Sequence, residues 1–242
     1  MSRPVVFGQA SFLHVRSVLF ALAEKGIAYR IQPREAAPLL GADAPADSNL
    51  GEPVIELGGH IVQGSETVLR FVEDAFSGPR LQPTHAIERA RMNRALELNY
   101  REAVITLGSR IAGRYLAALV SNEWLGPTPS EAVFADAGRT VAELEHLLKD
   151  DLFFAGTVFS LADIALSSLL DSLMETPDGD RIVPPDSDLR LWWERVSARN
   201  AFQLTKPKGG ALFGFMHPSL ERLDTTEIPG GRNVSSVSTD EY

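Results

Sequence analysis

The first third of the chain alternates between short apolar runs and a single amphipathic stretch. Residues 5–9 are rich in β-branched and aromatic side chains and predict a buried first strand. Residues 15–23 then show apolar positions at helical spacing, and Gly26 stands where a helix C-cap is expected. Residues 27–31 alternate as a second strand. The pattern therefore predicts a β-α-β unit whose two strands run parallel.

The next segment predicts a hairpin and a second helix. Residues 33–51 contain many proline, glycine and alanine residues without a sustained period, which predicts a loop region with one turn of helix. Two short apolar runs, 54–57 and 60–63, are separated by two glycines, and this spacing is typical of a tight β-hairpin. An apolar stripe beginning after Ser65 predicts a helix that ends before Gly78.

Beyond residue 84 the pattern is helical throughout. Helices are predicted over residues 85–120, 129–150, 160–174 and 187–199, with glycine and proline residues between them. We therefore predict an α/β plus all-α protein: a β-α-β-α-β-β-α domain at residues 1–79, an all-helical domain at 84–223, and a flexible tail at 224–242.

The composition of the chain excludes several classes of functional site and partner. The 242 residues are 44% hydrophobic and 23% charged, as expected for a folded protein. There is no cysteine, which excludes disulfides, thiolate metal sites and a cysteine nucleophile. The five histidines are scattered, so no metal site is expected. A net charge of -9 argues against nucleic acid, and the absence of a long apolar run or a leader pattern predicts a cytoplasmic protein without a membrane anchor.

Four local sequences stand out by their order and spacing: residues 15–27, Glu52-Pro53-Val54-Ile55, residues 64–69, and Phe153-Phe154-Ala155-Gly156 with residues 159–165. Together they resemble the glutathione transferase superfamily in a bacterial-type form outside its cysteine class. The predicted first domain is similar to that family's thioredoxin-like domain, and the helices that follow are similar to its C-terminal domain.

The resemblance implies a function. It implies a cytoplasmic homodimeric enzyme of detoxification that binds glutathione as co-substrate, uses no metal, and joins the glutathione thiolate to a small apolar electrophile. Two alternatives stay open: a binding or scaffold protein that kept the fold without turnover, and a glutathione-dependent isomerase or dehalogenase.

The resemblance also assigns Glu52 and Pro53 to the glutathione site. In the family this proline is cis, and the backbone before it pairs with the tripeptide like an added strand; an ordinary trans turn proline is the alternative. Glu52 stands where the family has an apolar residue, and a carboxylate there is unhelpful to an anionic peptide unless it points to solvent.

Gly64, Ser65 and Glu66 complete the predicted glutathione site. Ser65 opens a helix whose free N–H groups favour a carboxylate, such as that of the γ-glutamyl end; the alternative is a plain N-cap serine. Gly64 replaces the Glu or Gln that is common before this serine in the family. Gln63 or Glu66 would then have to reach the amino group of the tripeptide.

The reacting thiolate needs a hydrogen-bond donor near the start of the first helix. Ser11 is the predicted catalytic residue, although counting back from Arg16 places Phe12, and not Ser11, at the position where similar bacterial sequences usually have serine. Ser11 serving only as an N-cap is equally compatible with the sequence. His14 and Ser17 are further candidates.

The long helix after residue 84 is expected to flank the electrophile site. Phe12, Asn99, Tyr100 and Arg110 are assigned to that site by the resemblance. By contrast, Ser160 and Asp163 have the spacing of a capping box and are predicted to be structural. Trp192 and Trp193 are predicted to lie in the core and not to form a ligand platform.

Overall fold

A computed structural model describes the chain over residues 2–37, 52–115 and 129–207. The predicted tail at 224–242 lies outside these described residues, as do residues 38–51 of the predicted loop and 116–120 of the predicted long helix. Within the three described ranges, no helix is both long enough and apolar enough to cross a membrane.

The N-terminal part is a four-stranded mixed sheet with the order β2-β1-β3-β4. Strand β1 is parallel to β2, as predicted, and antiparallel to β3, while β3 and β4 form the predicted hairpin. Two helices pack on the sheet, and a 3₁₀ turn follows β2. The bounds are β1 Val5–Phe7, α1 Leu13–Glu24, β2 Arg30–Gln32, the turn Arg34–Ala36, β3 Val54–Leu57, β4 His60–Gln63 and α2 Ser65–Ala75.

The two strands of the predicted β-α-β unit are shorter than expected. Strand β1 ends at Phe7 because the backbone turns at Gly8, whose φ of +145 and contact with Val15 leave no room for a Cβ. Strand β2 begins only at Arg30 because the Ile27 N–H bonds back to the Leu22 carbonyl and closes α1. The predicted run 27–31 therefore starts as the exit of a helix.

The second part is helical. Its elements are α3 Ala86–Leu98, a π-helix Asn99–Ala112, α4 Glu131–Leu148, α5 Leu161–Met174, α6 Gly179–Ile182, α7 Asp188–Ser197 and α8 Asn200–Leu204. The short α6 and α8 were not predicted because four or five residues carry too little periodicity. The first domain and the helices that follow it together have the predicted fold class.

The π-helix is the main departure from the sequence prediction of one regular helix. Its hydrogen bonds span five residues, as seen where the Gly113 N–H reaches the Gly108 carbonyl. A Cβ at Gly108 would lie 3.1 Å from a methyl group of Leu169, so the glycine allows α5 to pack closely here. Apolar spacing does not distinguish this wider helix from an α-helix over so short a stretch.

One buried and one partly buried ion pair join α1 to the helical part. Arg16 donates to Asp171 of α5 at 2.5 Å, with both side chains 1% exposed, and its guanidinium lies 4.3 Å from the centre of the Phe202 ring. At the end of α1, Glu24 accepts two hydrogen bonds from Arg199, at 2.6 and 2.8 Å. These contacts hold α1, and with it the loop before it, against the C-terminal helices.

The predicted capping box at Ser160 and Asp163 is confirmed, and Asp163 does more than cap. Its carboxylate accepts from the Ser160 N–H at 2.9 Å, the Phe154 N–H at 3.1 Å and the Trp192 indole at 2.8 Å. Burial raises the pKa of Asp163 to about 6, although these donors oppose the rise. One carboxylate thus joins the loop at Phe154, the start of α5 and α7.

Replacing Asp163 should be more costly than the loss of an ordinary cap. We expect Asp163→Ala to lower the free energy of unfolding by about 3 kcal/mol, because it leaves several buried donors without an acceptor. Urea unfolding of Asp163→Ala and of the exposed control Asp186→Ala provides the measurement. The control should change by less than about 0.5 kcal/mol. Equal, small losses in both variants would contradict a structural role for Asp163.

Candidate functional site

Two helices begin at the same edge of the sheet. Strand β3 is antiparallel to both β1 and β4, so β1 and β4 run in the same direction and end together. Phe7 and Gln63, the last residues of these strands, flank the same residue of β3, Val54. Helix α1 begins after the first strand and α2 after the second. The edge is therefore formed by residues 8–12, 52–53 and 64–66.

The start of α1 has no side-chain cap. Phe12 occupies the N-cap position without making a capping hydrogen bond, so the alternative that Ser11 is the N-cap is wrong. Ser11 is 5% exposed, and its hydroxyl makes no hydrogen bond to any residue of the described ranges. Ser17, by contrast, is buried and donates to the Leu13 carbonyl at 2.9 Å, within its own helix.

The start of α2 is open in the same way. Gly64 occupies the N-cap position with φ +110, and Ser65 is the first residue of the helix. The alternative of a plain N-cap serine is therefore wrong, since the capping position has no side chain. The Gly64 N–H donates to the Pro53 carbonyl at 3.3 Å, which joins the turn to the start of β3.

The two open helix starts make this edge suited to an anion. The first N–H groups of a helix have no partner within the helix, and the helix dipole places partial positive charge there. Because α1 and α2 both begin at this edge, their dipoles favour negative charge in the same region. An anionic ligand is thus compatible with a chain whose net charge is -9.

The structure corrects the expectation for Pro53. No peptide bond among the described residues is cis, so the Glu52–Pro53 bond is trans, the isomer that X-Pro bonds intrinsically favour. Glu52 itself is half-buried, and its carboxylate accepts from the Gln63 side-chain amide at 3.0 Å.

His14 lies at the same edge and is neutral. Its ring centre is 5.6 Å from that of Tyr100, the second residue of the π-helix. Burial lowers the pKa of His14 to about 4, although the negative charge of Glu52 opposes this shift. Burial also raises the pKa of Tyr100, as does the nearby Glu66. The start of the π-helix therefore covers the starts of α1 and α2.

Arg70 ties α2 to the helical part, a role that was not predicted from the sequence. It donates to Glu66 at 2.8 Å, to Gln82 at 2.8 Å and to Asn93 of α3 at 2.9 Å. The spacing of Glu66 and Arg70, four residues apart on one helix, is the sequence feature that indicates such a pair. The charge of Glu66 is thus largely neutralised within the protein.

The residues predicted for the electrophile site are not all brought together. Phe12 lies at the start of α1 and packs against the core, near the edge that Tyr100 covers. Asn99 is 0% exposed, and neither atom of its amide has a hydrogen-bond partner among the described residues. Arg110 lies ten residues beyond Tyr100 and donates to Asp136 of α4 at 2.7 Å.

Comparison with known proteins agrees with this architecture. Residues 129–200 match the family model of the glutathione S-transferase C-terminal domain. The chain is similar to glutathione transferase F7 from Populus trichocarpa, with 20% identity, a TM-score of 0.69, and 84% of this chain and 97% of that chain covered. No curated protein sequence matches the chain significantly.

Two further structures are similar in fold. Glutathione S-transferase III in its apo form is 25% identical, with a TM-score of 0.66 over 84% of this chain and 95% of that chain. The theta class glutathione S-transferase from Xanthomonas axonopodis pv. citri, solved with glutathione bound, is 20% identical, with a TM-score of 0.64 over 85% and 97% of the respective chains. The described chain therefore has the fold of the glutathione transferases, and its residues 129–200 match the model of their C-terminal domain.

Proposed function

We propose that the protein binds glutathione at the edge where α1 and α2 begin and transfers it to a small apolar electrophile. The observation that carries the proposal is the pair of helix starts without side-chain caps, each with a serine beside it, Ser11 and Ser65. A similar protein, the Xanthomonas theta class enzyme, has glutathione bound in its structure, which supports this choice of ligand.

The residues at the edge suggest how each part of glutathione is held. The γ-glutamyl carboxylate accepts hydrogen bonds from the first N–H groups of α2 and from the Ser65 hydroxyl. The sulfur lies at the start of α1, where the helix dipole and the Ser11 hydroxyl stabilise the thiolate. The thiolate then attacks the electrophilic carbon; a carbon–sulfur bond forms, and the leaving group departs with its electron pair.

The second candidate function is that of a binding or scaffold protein, which binds glutathione without catalysing its transfer. It is favoured by the low exposure of Ser11, whose hydroxyl has to reach the sulfur for catalysis. A glutathione-dependent isomerase or dehalogenase would use the same thiolate. We further propose that the protein is cytoplasmic, that it acts in detoxification, and that its site needs no metal.

Removing the Ser11 hydroxyl tests the proposed catalytic role. We expect wild-type protein to be retained on immobilised glutathione and to turn over a generic aryl halide. We expect Ser11→Ala to keep glutathione binding and to lose about 100-fold in kcat/KM, because a preorganised donor to the developing anion is removed. Ser197→Ala, which removes a hydroxyl at the end of α7, serves as the matched control. Equal rates for wild type and Ser11→Ala would remove Ser11 from the mechanism.

The pH dependence of activity should report the thiol. His14 is neutral above about pH 4, so its titration does not shape the profile between pH 6 and 9. We expect one rising limb with a midpoint below about 8.5, the ordinary value for a thiol, and a higher midpoint in Ser11→Ala. The measurement is initial rate against pH, together with thiolate absorbance of bound glutathione. A limb near pH 6.5 that disappears in His14→Gln would instead assign the ionisation to histidine.

The proposal also includes a homodimer. Ile87 on α3 and Ile105 on the π-helix are 66% and 53% exposed, and burial of such side chains favours association. Light scattering on the full chain is expected to give twice the monomer mass of 26.4 kDa. A monomeric mass across the micromolar concentration range would contradict this part of the proposal.

A further inference from the structure

The imidazole of His14 borders the candidate site on the side of α1. His14 is the second residue of this helix, and side chains in the first turn of a helix lean toward its N-terminus, so they cover the residues before it. The negative charge of Glu52 acts on the imidazole, which indicates that the ring also lies near residues 52–53. The ring therefore lies beside the loop at residues 8–12.

The π-helix holds the imidazole in this position. The ring centres of His14 and Tyr100 are 5.6 Å apart, and the planes of the two rings make an angle of 36°. One residue before His14, a methyl group of Leu13 lies 4.0 Å from the point where a Cβ of Gly108 would stand. The start of α1 thus contacts the π-helix at two positions, and the imidazole is packed against the helical part.

The polar atoms of this half-buried ring are not used within the described part of the chain. Neither nitrogen of the His14 ring makes a hydrogen bond to any described residue. Because burial lowers the pKa of His14 to about 4, the ring is uncharged at neutral pH and carries one N–H donor and one acceptor nitrogen. An unpaired N–H in such a position is unfavourable, so a ligand atom that accepts from it gains stability.

An oxygen of the electrophile is the acceptor that fits this donor. In the proposed function, the sulfur of glutathione is stabilised by the first N–H groups of α1 and by the Ser11 hydroxyl. The His14 ring lies next to them and contacts the aromatic ring of Tyr100, which provides the apolar surface for a small electrophile. In these surroundings an N–H donor stabilises most strongly an oxygen on which negative charge develops during the reaction.

We propose that His14 is a catalytic residue for α,β-unsaturated carbonyl compounds, whose oxygen accepts a hydrogen bond from the imidazole N–H. The assignment rests on the proposed function, and it names the class of electrophile that the site favours.

Addition of the thiolate to such a compound needs no leaving group. The sulfur forms a bond to the β-carbon, and the electron pair of the carbon–carbon double bond moves toward the carbonyl group, whose oxygen becomes the oxygen of an enolate. The His14 N–H donates to this oxygen and keeps its proton. A proton from water then adds to the α-carbon. Displacement of a halide, by contrast, places the negative charge on the departing halide.

Two electrophiles of similar size test the assignment. Benzylideneacetone and cinnamyl chloride both carry a phenyl ring next to a double bond, and only the first has a carbonyl oxygen. The measured quantity is the ratio of kcat/KM for benzylideneacetone to kcat/KM for cinnamyl chloride, each with glutathione. His14→Phe keeps an aromatic ring against Tyr100 and is expected to lower this ratio about 100-fold, because one donor to the developing oxyanion is removed. His14→Gln keeps an N–H donor and is expected to lower the ratio less.

The matched control is His146→Phe, the same substitution at an exposed position of α4, which is expected to keep the wild-type ratio. An unchanged ratio in His14→Phe would overturn the assignment. A lowered ratio in Tyr100→Phe, with His14→Phe unchanged, would also overturn it, because the donor would then be the tyrosine hydroxyl. If the wild-type protein turns over neither compound, the proposed function itself is contradicted.

Discussion

The candidate anion site depends on the direction of one strand, β3. Strand β3 is antiparallel to its two neighbours, so β1 and β4 must end at the same edge of the sheet. Because α1 follows the first of these strands and α2 the second, both helices present their N–H ends to one region. A different direction for β3 would separate the two helix starts, and the local partial positive charge would be divided between opposite edges.

This constraint explains how an acidic protein can hold an anion. The net charge of -9 is spread over the whole chain, whereas the partial positive charge of each helix start acts over the distance of about one turn. The acidic side chains closest to the helix starts have hydrogen-bond partners within the protein, which reduces their repulsion of an anion. Glu66 is paired with Arg70, and Glu52 accepts a hydrogen bond from the Gln63 side-chain amide. Interdomain contacts such as Arg16 with Asp171 then hold α1 in position.

Local features of the site could be predicted from the sequence, and contacts across the fold could not. The two glycines at 58 and 59 predicted the hairpin, and the spacing of Ser160 and Asp163 predicted the capping box. A two-residue turn also determines the register of a hairpin, so the approach of residue 53 to residue 64 follows from the sequence once the turn is accepted.

The remaining features depend on packing between distant segments. Arg16 and Asp171 are 155 residues apart, and no periodic pattern connects them. The neutral state of His14 depends on its burial, to which Tyr100 of the π-helix contributes. The most direct measurement of the central claim is a titration of labelled protein with glutathione, followed by backbone amide resonances. The account predicts that the largest shifts occur at Leu13, His14, Ser65 and Glu66, the first amides of α1 and α2; shifts elsewhere with none at these four amides would contradict it.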